Sequence, residues 1–165
     1  MPEAEFAPME MLLACHEKVR RFSALMIKLA KHVEQKGADQ QAHDAAQAVL
    51  RYFDIAAPLH HDDEDLNLYP ALCNLGDETL RSNIAQLQQE HDELNTLWGL
   101  TRPWLMSLSR APWQRTEAPP SLYALGERYP AHADREEALV YPHAAQLHEL
   151  ELATIGQAMI SRRRT

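Results

Sequence analysis

A chain of 165 residues with 45% hydrophobic and 24% charged side chains can bury one ordinary core and fits a single globular domain. Its net charge of −8 argues against nucleic acid or an anionic membrane as the main partner, since both require a basic face. Two cysteines, Cys15 and Cys73, with no C-x-x-C spacing exclude a disulfide scaffold.

Abundant alanine, leucine, glutamate and glutamine beside only five glycines favour helix over sheet. The opening residues MPEAEFAPME are acidic and lack the basic start and apolar run of a secretory signal, so a cytoplasmic protein is expected. A first helix is predicted over 8–36, opening at Pro8 and stopping at Gly37. Leu12, Val19, Phe22, Met26, Leu29 and Val33 form its apolar stripe. A second is predicted over 39–74, a third over 78–109 with Pro103 inside, and a fourth over 121–162 with Pro130 and Pro142 inside. Only APWQRTEAPP, residues 111–120, reads as a loop, with Trp98, Trp104 and Trp113 packing the third helix and that loop. The terminal SRRRT reads as a solvated helix end that complements the helix dipole, with an interaction tail as the alternative. The expected architecture is all-α: one domain over 1–165, an up-down-up-down four-helix bundle.

Residues 58–70, PLHHDDEDLNLYP, repeat as residues 130–142, PAHADREEALVYP. Six of thirteen positions agree at an offset of 72, where unrelated windows agree at roughly one. Each copy places a histidine and a glutamate four residues apart, on one helix face: His60 with Glu64, and His132 with Glu136. The first and third helices echo one another through CHEKV and EHDEL, which pair His16 with His91 at an offset of 75. The chain is thus a twice-repeated helix pair. His16 and His60 lie 21 and 23 residues from Gly37, and His60 and His91 lie 16 and 15 residues from Gly76. Antiparallel hairpins therefore bring the four histidines to nearly one level. Imidazoles and carboxylates meeting in a helical interior are costly unless paired or coordinating, and two divalent metals bridged by the glutamates would satisfy them all.

With these residues in view, the chain resembles the hemerythrin HHE cation-binding family, four-helix bundles with a carboxylate-bridged di-iron centre. The resemblance implies two metal ions, iron by preference, held by His16, His60, Glu64, His91, His132 and Glu136, with Glu64 and Glu136 bridging. Oxygen carriers of this kind add an H-x-x-x-H on the third helix. Here Leu87 and Asn95 flank His91 at those spacings, so a fifth histidine ligand is missing and a more symmetric site is expected.

His61 falls opposite Ala133, off the repeat register; His61 with Asp65 is the alternative to His60 with Glu64. Asp65 and Glu137 read as groups that orient their neighbours. Tyr69 and Tyr141 read as packing residues, with a hydrogen bond or a redox-active role near the metals as the alternative. Cys15 reads as a buried, inert thiol, and His32, His43, His143 and His148 as surface groups. The prolines before each H-x-x-x-E are expected to open the backbone and aim the ligands.

The function expected is binding or sensing of O2, NO or peroxide, or iron handling under stress. A di-iron peroxidase, catalase-like or oxidase enzyme, and a metal-free interaction module, are the alternatives. A sensing role calls for a separate protein partner, and apolar surface near residues 111–120 would serve a homodimer.

Overall fold

The computed structural model describes residues 7–109 and 114–164, so Trp113 and part of the 111–120 loop lie outside the described residues. Helix α1 (Pro8–Lys36) starts on a proline in its first turn and stops at Gly37, whose φ of 85° excludes a side chain at little strain. Asp39 caps α2 (Gln40–Arg51) by accepting the Ala42 N–H at 2.9 Å. The chain stays helical to Cys73: a π-turn (Tyr52–Ala56), α3 (Ala57–Asp62), a second π-turn (Asp63–Leu68) and α4 (Tyr69–Cys73) follow in series. Asp77 then caps α5 (Glu78–Ser107), and the rest comprises α6 (Pro120–Leu139), a 3-10 segment (Tyr141–Gln146) and α7 (Glu149–Arg163). Among the described residues there is no strand, and no helix is long and apolar enough to cross a membrane.

The prolines account for the irregular backbone. Proline lacks an N–H and crowds the carbonyl four residues before it. Each π-turn ends just before a proline-bearing helix start and widens the turn by one residue. Ala57 N–H reaches the Tyr52 carbonyl ahead of Pro58, and Tyr69 N–H reaches the Glu64 carbonyl ahead of Pro70. Pro130 is accommodated inside α6. Pro142 is not, and this corrects the continuous fourth helix expected over 121–162. Helix α6 ends at Leu139, Val140 leaves helical geometry at φ −120°, and α7 restarts after His148.

Helix α1 packs on α2 and α6, and α5 packs on α6 and α2, while α7 lies on α1 and the second π-turn. Gly126 permits the α1–α6 approach, because a Cβ there would come within 2.6 Å of the Ile27 side chain. Two apolar clusters result. One gathers Val19, Met26, Val49, Phe53, Leu94 and Leu125; the other gathers Leu12, Leu68, Leu72, Ile84, Leu87 and Met159. Along α1 and α5 they adjoin at His16 and His91, which fall between Leu12 and Val19 and between Leu87 and Leu94.

The SRRRT end is not simply solvated. Arg162 donates to Asp63 Oδ1 (2.5 Å) and Asn67 (2.6 Å), and Arg163 donates to both carboxylate oxygens of Asp63. Asp63 is fully buried, so this ion pair fastens α7 to the second π-turn. Replacing both arginines by alanine strands a buried carboxylate and should cost roughly 3–5 kcal/mol, whereas adding Asp63→Leu should restore most of that. Chemical denaturation of the two variants measures the difference.

Candidate metal centre

Between the two clusters lies a buried polar layer: His16, His60, His61, Glu64, His91, His132 and Glu136 are each 6% exposed or less. The structure brings all six sequence-predicted ligands together. His16, His60, Glu64 and Glu136 offer ligand atoms within 4.8 Å of one another, and so do Glu64, His91, His132 and Glu136. Both glutamates belong to both groups.

The imidazoles point inward through Nε2. His16 Nε2 and His132 Nε2 each lie 3.2 Å from Glu136 Oε1; His60 Nε2 and His91 Nε2 lie 3.4 and 3.3 Å from Glu64 Oε1. The outward nitrogens of three of them face other carboxylates, and His60 Nδ1 has no partner. His16 Nδ1–H donates to Glu137 at 2.8 Å, His91 Nδ1–H to Asp65 at 3.0 Å, and His132 Nδ1–H to Glu90 at 2.9 Å. Asp65 and Glu137 thus take the orienting roles expected of them; Glu90, adjoining His91 in sequence, was not foreseen. A neutral imidazole that spends its proton outward presents a bare lone pair inward. At His16, His91 and His132 that lone pair faces a carboxylate oxygen. The buried Nε2 atoms of His60, His91 and His132, and Glu64 Oε1, have no hydrogen-bond partner. Acceptors opposed across a gap without a donor are what a bound cation satisfies, so these residues fit a metal.

Each glutamate's other oxygen is taken by the tyrosine of the opposite repeat. Tyr69 donates to Glu136 Oε2, and Tyr141 donates to Glu64 Oε2 at 2.7 Å. Both rings also stack on imidazoles, Tyr141 on His16 and Tyr69 on His91. The packing role expected of the tyrosines is therefore joined by the hydrogen bonds held as the alternative. His61 falls outside both four-residue groups but is buried; it stacks on His91 at 4.0 Å and pairs through Nε2 with the Tyr129 hydroxyl at 2.6 Å. Nothing in the repeat register flagged Tyr129. His148 is exposed and caps α7, while His32, His43 and His143 are half-buried away from the centre; His32 pairs with Asp39. Leu87 is buried in the apolar cluster and Asn95 is exposed, so α5 supplies one histidine to the layer.

Burial pushes Glu64 well above the usual carboxylic range, and the neighbouring Glu136 charge adds to it. Burial pushes Glu136 the same way, but the neighbouring Glu64 carboxyl outweighs it and holds Glu136 well below that range. Without metal, the two carboxyls thus share one proton, which a cation would displace. Burial, reinforced by repulsion from His16, His91 and His132, lowers His60 to about 3, and burial pushes up the thiol of Cys15, which is half-buried rather than fully buried as expected.

The family model for the hemerythrin HHE cation binding domain matches residues 7–144. The chain belongs to the hemerythrin HHE cation-binding family. It is also similar to an uncharacterised protein of Haemophilus influenzae, 40% identical over 91 residues. That match covers 55% of this chain and 52% of the relative, about half of its length. As a member of a cation-binding family, the chain carries its buried His/Glu clusters inside the matched region.

The neutral burial of His60 sets a pH dependence for the metal-stripped protein. The unfolded chain protonates this imidazole below about 6.5, while the folded site resists until about 3. The unfolded state binds the extra proton in that window, so stability falls as pH is lowered through it; His61, also lowered by burial, adds in the same sense, and Glu64 runs opposite. Thermal melts between pH 7.5 and 4 should show the decline, and His60→Gln should flatten it. A melting temperature insensitive to pH in both proteins would refute the neutral buried imidazole.

Proposed function

We propose that this chain is a single up-down-up-down four-helix domain over 1–165 that holds a dinuclear metal centre. Its ligands are His16, His60, Glu64, His91, His132 and Glu136, with the two glutamates bridging. The observation that carries this reading is the shared membership of Glu64 and Glu136 in both groups of convergent ligand atoms. Two imidazoles then complete each metal's set. Iron is assigned from the family resemblance, since mixed imidazole and carboxylate ligation also suits manganese or zinc.

A bound di-iron centre would supply reversible redox chemistry and affinity for O2, NO or peroxide. The chain's own residues do the rest. Tyr69 and Tyr141 hold the carboxylates, Glu137, Asp65 and Glu90 aim the imidazoles, and the apolar clusters keep bulk water from the centre. The role proposed is binding or sensing of such small ligands, or iron handling, in the cytoplasm. Turnover of peroxide is a second reading, favoured by one feature: the Tyr129 hydroxyl pairs with His61, whose ring stacks on His91, and is not committed to a carboxylate.

Elemental analysis of protein purified without chelators should give two metal ions per chain. Glu64→Ala and Glu136→Ala should each lose both, because each removes a bridge; one tightly held ion surviving in both variants would sink the bridging arrangement. An optical spectrum that shifts stoichiometrically with NO or peroxide supports sensing, and sustained peroxide consumption supports the enzyme.

A further inference from the structure

Resting on the dinuclear reading, we infer that the two metal positions are unequal, and that the one held by His16 and His60 is the exchangeable position. The ligand set repeats faithfully, but the groups behind it do not. His132 is aimed by Glu90 on Nδ1, and Glu90 is itself held by Arg135. The same register that sets His91 over His16 sets Glu90 over Cys15, and the offset of 72 sets Arg135 over Asp63. In the first half the arginine–glutamate support is therefore replaced by an aspartate and a cysteine. The consequence is visible at His60, whose Nδ1 is buried and has no partner. The Cys15 side chain engages Arg163 instead.

Three imidazoles thus have a carboxylate fixing tautomer and ring orientation, and the fourth has none. The His91/His132 position has both of its imidazoles anchored, and His91 is further clamped by the stacked ring of His61 at 4.0 Å. The His16/His60 position has only His16 anchored, through Glu137. Both positions share Glu64 and Glu136, so the bridging carboxylates do not distinguish them. An outer carboxylate of this kind is worth about 10–100-fold in metal affinity. One ion should therefore sit firmly between α5 and α6 while its neighbour comes and goes. That arrangement suits a protein that reports or releases metal in a graded way.

Competition of Co2+-loaded protein against a chromophoric chelator tests this. Release should occur in two steps of one ion per chain, separated by about 10–100-fold in chelator strength. At one equivalent of Co2+, paramagnetically shifted resonances should arise from His91 and His132, with His16 and His60 unshifted beyond through-space effects. Glu90→Gln, which removes the charge behind His132, should merge the two steps while the helical circular dichroism stays unchanged. Cys15→Asp should strengthen only the first-leaving ion, and Glu90→Gln carries the test alone if that variant does not fold. Two ions released together from the unaltered protein, or first occupancy at His16 and His60, overturns the inference. Failure to bind two ions at all overturns the dinuclear reading itself, and this inference with it.

Discussion

The structure turns on one constraint: two carboxyls and four imidazoles must be buried at one level of an apolar helical interior. Taking such groups out of water costs several kcal/mol each unless they are paired. The fold meets that cost from the outside inward. Half-buried carboxylates take the outer N–H of three imidazoles, and tyrosines of each repeat take one oxygen of the other repeat's glutamate. These interactions leave lone pairs aimed at a common centre, where a shared proton is the partial substitute for a cation. Stability and metal affinity are therefore two faces of one arrangement, since whatever aims the lone pairs also holds the helices in register.

The irregular backbone follows from the same demand. A glutamate and a tyrosine five residues apart cannot both face inward on a regular α-helix, because about 100° per residue leaves them roughly 140° apart. Glu64 and Tyr69 are brought to one side by the second π-turn, whose i to i−5 bond joins those very residues. Glu136 and Tyr141 reach the same outcome by another route, through the break at Val140 and the 3-10 segment beyond it. The prolines that follow each tyrosine disfavour regular helix at both places. What they break locally, the site uses.

This also explains which parts were legible in the sequence. The four-apart histidine and glutamate obey ideal helix geometry, so periodicity and the repeat sufficed to bring six residues to one level. Tyr69 and Tyr141 read as packing groups because ideal geometry turns them away, and no residue count reveals a π-turn. Proline alone does not say whether a helix will widen, as before Pro58, continue, as at Pro130, or stop, as before Pro142. The terminal arginines read as solvated charge because their pairing with Asp63 links positions about a hundred residues apart through α7 packing. Glu90 stood next to a predicted ligand, but an acidic neighbour on a charged helix face carries no signal until its partner is known.

The two halves have diverged in a correlated way, which argues against reading the missing support at His60 as an accident of one side chain. Where Arg135 holds Glu90 in the second half, Asp63 and Cys15 occupy the matching positions in the first. Reversal of charge at position 63 puts a carboxylate where Arg135 steadies Glu90, so a carboxylate at position 15 would meet a like charge and would have to share Arg163 with Asp63. Arg162 and Arg163 supply that cation from α7, yet they spend it on Asp63. The exchange converts a pair that aims a histidine into a pair that anchors a helix. Retention of α7 and loosening of His60 are then a single trade, and a variant that restores a carboxylate at position 15 will act through Arg163 as much as through His60.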